Sequence, residues 1–113
     1  MKKKTYTCGL EAALDVVGGK WKTLILWHLF DQSRRFGELR RLVNGVSEKM
    51  LIQRLKEMEK DGIIVRKDYH EVPPRVEYSL TRFGRELTEA LETLCEWGGK
   101  HMKRISSLPA KKT

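Results

Sequence analysis

"QSRRFGELRRLVNGVSEKMLIQRLKEMEKDG", Gln32 to Gly62, is the stretch that decides the fold. Two helical periods follow one another in it, Phe36, Leu39 and Leu42, then Leu51, Leu55 and Met58. "VNGV", Val43 to Val46, separates them with a tight turn. Ser47 suits the N-cap of the second helix, because its hydroxyl can accept one of the otherwise unpaired first N–H groups. Gly62 lies just past the last apolar position, where a C′ residue is expected. Two amphipathic helices joined by a tight turn are the result.

Working downstream, "IIVRKDY" and "RVEYSL" carry β-branched and aromatic residues in extended-type patterns, with "HEVPP" between them. This predicts a β-hairpin whose tip spans residues 70 to 75. Pro73 and Pro74 fix φ and bias their predecessors toward extended geometry, so the tip loses less entropy on meeting a ligand. "TRFGRELTEALETLCEWGGKHMKRI" then places Phe83, Leu87, Leu91, Leu94, Trp97 and Met102 on one side of a long helix. That apolar face has no evident partner surface.

Upstream, "CGLEAALDVVGGKW" spaces Leu10, Ala13, Leu14 and Val17 as a short helix stopped by Gly18-Gly19. "KWKTLILWHLFD" continues with Trp21, Leu24, Ile25, His28 and Leu29 on one face of a second helix, ending near Asp31. The order of four helices, a hairpin and a long helix describes a mainly α protein with a small β-hairpin. Its class is α+β, and its architecture is a winged helix-turn-helix. With 113 residues, of which 40% are hydrophobic, one domain over 1–113 is expected. Its core would span about 8–105, with basic tails at 1–6 and 106–113.

Lysine and arginine number 23 against 15 acids, giving +8 and a pI near 9.7, which points to a polyanionic partner. Between Ser33 and His70 ten basic residues stand against six acids, so this half carries much of the excess. The longest apolar runs, such as "TLILW", are too short to cross a bilayer, and the first residues lack the apolar core of a signal peptide. A cytoplasmic protein without a membrane partner is expected. An enzyme is not: His28, His70 and His101 are scattered, no nucleophile and base share a recognisable spacing, and "GGK" lacks the P-loop pattern. Neither a metal nor another cofactor is expected.

In a winged helix-turn-helix the second helix of the turn enters the major groove and the hairpin reaches the neighbouring backbone. Leu51, Leu55 and Met58 define the buried side of the helix from Ser47, leaving Ser47, Lys49, Gln53 and Lys56 outward. Gln53 can pair with adenine N6 and N7, and Lys49 with guanine acceptors or phosphate. Arg54 at the flank, Arg34 and Arg35 ahead of the first helix of the turn, and Arg75 on the wing complete the candidate DNA-binding set. The competing explanations are a solvated charged helix face and an ordered turn whose arginine meets only water.

Taken together, "GGKWKTLIL" (18–26), "RFGELRR" (35–41), "SEKMLIQRLKEMEKDGII" (47–64), "VPPRVEYSLT" (72–81) and "LCEWG" (94–98) resemble the HxlR family of winged-helix transcriptional regulators, relatives of the MarR group. The resemblance covers roughly Cys8 to Ile105. It implies a homodimeric, non-enzymatic DNA-binding regulator, commonly a repressor, acting on a roughly palindromic operator. It also implies a dimer interface built from the first and last helices, here through Leu10, Leu14, Phe83, Leu87, Leu91, Leu94 and Trp97. Glu48 and Ile52 depart from residues common in the family, an uncharged residue or proline and a threonine respectively, and bear on which operator is read. Glu48 can favour the helix dipole or accept from cytosine N4.

Some members of the family sense oxidants or electrophiles through a cysteine matching Cys8. A helix N-terminus and nearby Lys2, Lys3 and Lys4 would favour the thiolate. The plainer role is an inert packed thiol. Cys95, beside Leu94 and Trp97, suits a small buried hydrophobe, although a Cys8 to Cys95 bond between subunits is open. Cysteine spacing and a reducing cytosol argue against a permanent disulfide within the chain. The rival to a DNA regulator is a winged-helix module that binds protein or RNA without recognising specific duplex DNA.

Overall fold

The structure, a computed structural model, describes residues 4–109. In chain order it contains α1 (Gly9–Val17), α2 (Lys20–Leu29), α3 (Phe36–Leu42), α4 (Glu48–Lys60), β1 (Ile64–Asp68), β2 (Val76–Leu80), α5 (Arg82–Lys100) and α6 (Met102–Ser106). α2 lies at the centre and touches α3, α4, α5 and β2. Its fully buried side chains are Ile25, Leu26 and Leu29, with Lys22 almost as deep. This arc is rotated from the stripe expected from the sequence and shares only Ile25 and Leu29 with it, because α2 is packed from several sides. Trp21, Leu24 and His28 are only part-buried.

The two HTH helices are delimited by the local chemistry that the residues at their ends suggest. Glu38 Oε1 accepts from the Arg35 backbone N at 2.9 Å, satisfying a free donor at the start of α3. Ser47 Oγ accepts from Met50 N at 3.1 Å at the start of α4. At the other end, Gly62 adopts φ +74; its N–H donates to Glu59 O at 3.0 Å, and Ile63 N–H donates to Met58 O at 3.1 Å. That pair of bonds is a Schellman motif, and it turns the chain straight into β1. Leu39, Val43, Leu51, Leu55, Met58, Ile63 and Ile64 then close over α2 as one core.

β1 and β2 pair antiparallel in the register Ile64 with Leu80 to Asp68 with Val76. Arg34 adds a bridge on the free edge of β2: Arg34 N donates to Tyr78 O at 2.9 Å, and Tyr78 N to Arg34 O at 2.8 Å. The wing is thereby anchored to the α2–α3 connection.

Thr81 caps α5 by accepting from Gly84 N at 3.0 Å, while its hydroxyl donates to Gly62 O at 2.6 Å. Gly84 lies directly against the Ile63 backbone, so α5 crosses the end of the HTH at backbone contact. α5 stops at Lys100. A single helix through Ile105 was the expectation; instead His101, at φ −111 and ψ 16, divides it from the short α6. Gly98 and Gly99 just before the break each cost helix about 1 kcal/mol relative to alanine. Of the terminal residues expected to lack structure, 4–6 lie along α1, where Lys4 Nζ and Tyr6 Oη reach Asp15 Oδ2 at 2.9 and 2.6 Å. Residue 106 closes α6, and 1–3 and 110–113 lie outside the described residues.

Candidate nucleic-acid interface

α4 presents its N-terminus and one long face to solvent. Lys49, Gln53 and Lys56 fall at i, i+4 and i+7 on that face, all exposed, with Ser47 exposed at its head. Among the described residues neither Lys49 nor Lys56 has a carboxylate partner, and Arg35 ahead of α3 is likewise exposed and unpaired. Glu48, which could repel a phosphate, has its charge met by Arg40 NH1 at 3.4 Å. The face thus offers cations and one amide, with its acid already compensated.

Three other arginines expected at this surface are held differently. Arg34 is committed to the body of the fold: its Nε donates to His28 O at 2.9 Å and NH2 to Asp31 Oδ1 at 3.3 Å. Arg54 NH1 lies 2.6 Å from Glu57 Oε1, and Lys22 Nζ reaches the same oxygen at 3.3 Å. The Arg54 hydrogen bond foremost, and Lys22 after it, hold the Glu57 carboxyl below the usual carboxylate range, against the opposing effect of burial. This triad ties α2 to α4. A lysine inside an apolar helix followed by Glu57 much later carries no local signal that they meet, so the sequence did not show it.

Arg75 does not project from the wing tip. It stands at the base of the loop, where its backbone O accepts from Tyr69 N at 2.9 Å and its guanidinium lies 3.7 Å from the Tyr69 ring centroid. Its NH1 is 3.7 Å from Glu71 Oε2, and its Nε is 3.4 Å from Glu77 Oε2 without the alignment of a hydrogen bond. The tip itself is His70, Glu71, Val72, Pro73 and Pro74, with Val72 98% exposed. The wing cations left without a carboxylate among the described residues are Arg66 and Lys67 of β1, which the sequence reading passed over.

α1 and α5, with α2 between them in the chain, leave an apolar groove of about 560 Å³ bounded by Leu10, Leu14, Leu87, Leu91 and Leu94, to which α4 contributes no residue. Leu10, Leu14 and Leu94 are 68%, 60% and 62% exposed, and Phe83 and Trp97 are also exposed. Leu87 and Leu91 are instead part-buried against the core. Cys8 is exposed as the N-cap of α1. Lys4, expected to act on its thiol, is paired with Asp15, and Lys2 and Lys3 lie outside the described residues. Cys95, expected to be buried, is exposed. Among the described residues no three His, Cys, Asp or Glu side chains gather as metal ligands, and no helix is long and apolar enough to cross a membrane.

The family model for the HxlR-like helix-turn-helix matches residues 16–106. The chain is 49% identical over 105 residues to the HTH-type transcriptional regulator YtcD of Bacillus subtilis, covering 93% of this chain and 83% of that protein. It is similar in structure to the redox regulator HypR in its reduced form, with TM-score 0.83 and 44% identity over 89% of this chain and all of that one. Diamide-treated YodB from B. subtilis aligns with TM-score 0.70 and 33% identity over 85% of this chain and 96% of that one. A winged helix-turn-helix matched over nearly its whole length by such relatives is a transcriptional regulator and not an enzyme: the chain belongs to the HxlR-like helix-turn-helix family.

Proposed function

We propose that this chain represses transcription by binding a roughly palindromic duplex operator as a homodimer, with α4 in the major groove. The observation that carries this is the outward row of Lys49, Gln53 and Lys56 behind a Ser47-capped helix start, with the neighbouring acid Glu48 met by Arg40. Such a face suits direct reading of base edges, with Arg35 and the helix N-terminus contributing backbone contacts. Two copies joined through α1 and α5 would present two such helices related by a two-fold axis, which is what an inverted repeat demands.

The discriminating experiment is a mobility shift with duplex carrying an inverted repeat, random duplex, and RNA. Preference for the inverted repeat is expected; equal affinity for all three would leave only unspecific charge attraction. Lys49→Ala or Gln53→Ala should each cost roughly 1–3 kcal/mol of operator binding and relax base preference at the position contacted. Binding curves on operators substituted one base at a time measure both effects.

Oxidant or electrophile control through Cys8 is a second part of the reading, favoured by the exposed thiol at the start of α1, a helix that borders the apolar groove. The similar structures of the redox regulators support it. An adduct or disulfide there would disturb the seam that spaces the two reading helices. Diamide should change operator affinity in the wild type and leave Cys8→Ser unaffected. An equal response in both would remove Cys8 as the sensor.

A further inference from the structure

We propose that Arg75 is a positioning residue of the wing, which locks Tyr69 in place so that Lys67, and not Arg75, meets the DNA backbone. This rests on the DNA-binding reading above and assigns the charges within it. The Tyr69 ring is shared by two cations, Arg75 Cζ at 3.7 Å and Lys67 Nζ at 4.6 Å from its centroid. They are not equivalent. Arg75 is flanked by Glu71 and Glu77 at 3.7 and 3.4 Å, and its side chain is only 33% exposed. A phosphate approaching it would have to displace two carboxylates or sit beside them. Lys67 is exposed and has no carboxylate partner among the described residues.

Glu77 completes the lock. Its Oε1 accepts from Tyr69 Oη at 3.1 Å and from Ser33 Oγ at 3.3 Å, while its other oxygen faces Arg75. The ring is thus fixed at its hydroxyl by Glu77, on its face by Arg75, and at its backbone by the Tyr69 N–H to Arg75 O bond. Ser33 ties the assembly to the chain entering α3, so the wing is set relative to the HTH. A planar guanidinium stacked on an aromatic face is a geometry lysine does not reproduce. Exposed Lys67, resting over the same ring, keeps its ammonium free for a phosphate oxygen.

The test combines salt-dependent operator binding with hydrogen exchange on the full chain. Lys67→Gln should lower the slope of log affinity against log salt by about 0.9, one phosphate contact. Arg75→Gln should weaken binding several-fold with the slope unchanged, because Lys67 still reaches its phosphate but the wing must be ordered on binding, and Arg75→Lys should not restore it. Tyr69→Leu, which alters no charge, should weaken binding to a similar degree, and the Arg75→Gln/Tyr69→Leu double variant should be no weaker than either single one. Exchange of the Tyr69 amide in the free protein should quicken in Arg75→Gln, a result independent of DNA. A slope reduced by Arg75→Gln and restored by Arg75→Lys would overturn the inference while leaving the DNA reading intact. Wild-type protein with no salt-dependent affinity for duplex would overturn both.

Discussion

Gly84→Ala is expected to lower stability by about 3 kcal/mol or more, a fall in melting temperature of ~10 °C or greater for a domain of this size. The position is in helix, where alanine is ordinarily better than glycine by about 1 kcal/mol, so propensity alone predicts the opposite sign. Packing decides it. A methyl group on Gly84 would overlap the carbonyl oxygen of Ile63 and stand 2.8 Å from its carbon and 3.2 Å from its Cα. All three atoms are backbone, so no side chain can swing aside. Either α5 lifts from the end of the HTH or Ile63, which is fully buried, moves with β1. Lifting α5 would also strain the Thr81 bridge between Gly84 N and Gly62 O. Gly98→Ala supplies the control on the same helix, since a methyl there meets nothing within 4 Å and should be neutral or stabilising. Thermal melts at one protein concentration compare the two; Gly84→Ala melting within a degree or two of wild type would show that the close approach is not needed.

The same contrast marks what could be read in advance. Ser47 as a cap, Gly62 as a helix stop and the Leu51, Leu55, Met58 stripe each depend on residues within a turn or two of one another, and the structure has all three. The hairpin was legible for the same reason. Gly84 against Ile63 was not, because it depends on where α5 crosses the residue just before β1, far earlier in the chain. Lys22 with Glu57 and Arg34 with Tyr78 are likewise pairs joined only by the tertiary fold.

Charge was the least legible property. A count of cations between Ser33 and His70 located the basic half of the molecule but gave each arginine equal weight. The fold spends Arg34 on a carbonyl, Arg54 on Glu57 and Arg75 on an aromatic ring between two acids. What remains outward and uncompensated on and around the HTH among the described residues includes Lys49, Lys56 and Lys67 together with Arg35, Arg41 and Arg66. Arg34, Arg54 and Arg75 use the planar fork on fixed partners within the protein, while the outward arginines and lysines alike keep their donors for a phosphate.

Leu94→Glu is expected to leave a folded monomer and to weaken operator binding by at least ~100-fold, because one half-site would then be held without the tethered second. The fold should survive, since the Leu94 side chain is 62% exposed in the single chain and a carboxylate there stays in water. In an assembly that covers the face, the same carboxylate would be buried without a partner, at a cost of several kcal/mol. The proposed dimer would supply the cover that α1 lacks in the single chain. Isolated helices shorter than ~12 residues are marginal in water, and this one, Gly9–Val17, buries only Val17 while Leu10 and Leu14 face outward. A second copy brings the same surface of α1 and α5 and needs no additional partner. Sedimentation velocity should show wild-type dimer and variant monomer at matched concentrations, with binding to duplex followed by anisotropy. Retained dimerisation in Leu94→Glu would move the interface away from α5, and full operator affinity in a demonstrated monomer would break the link between the apolar face and the inverted repeat.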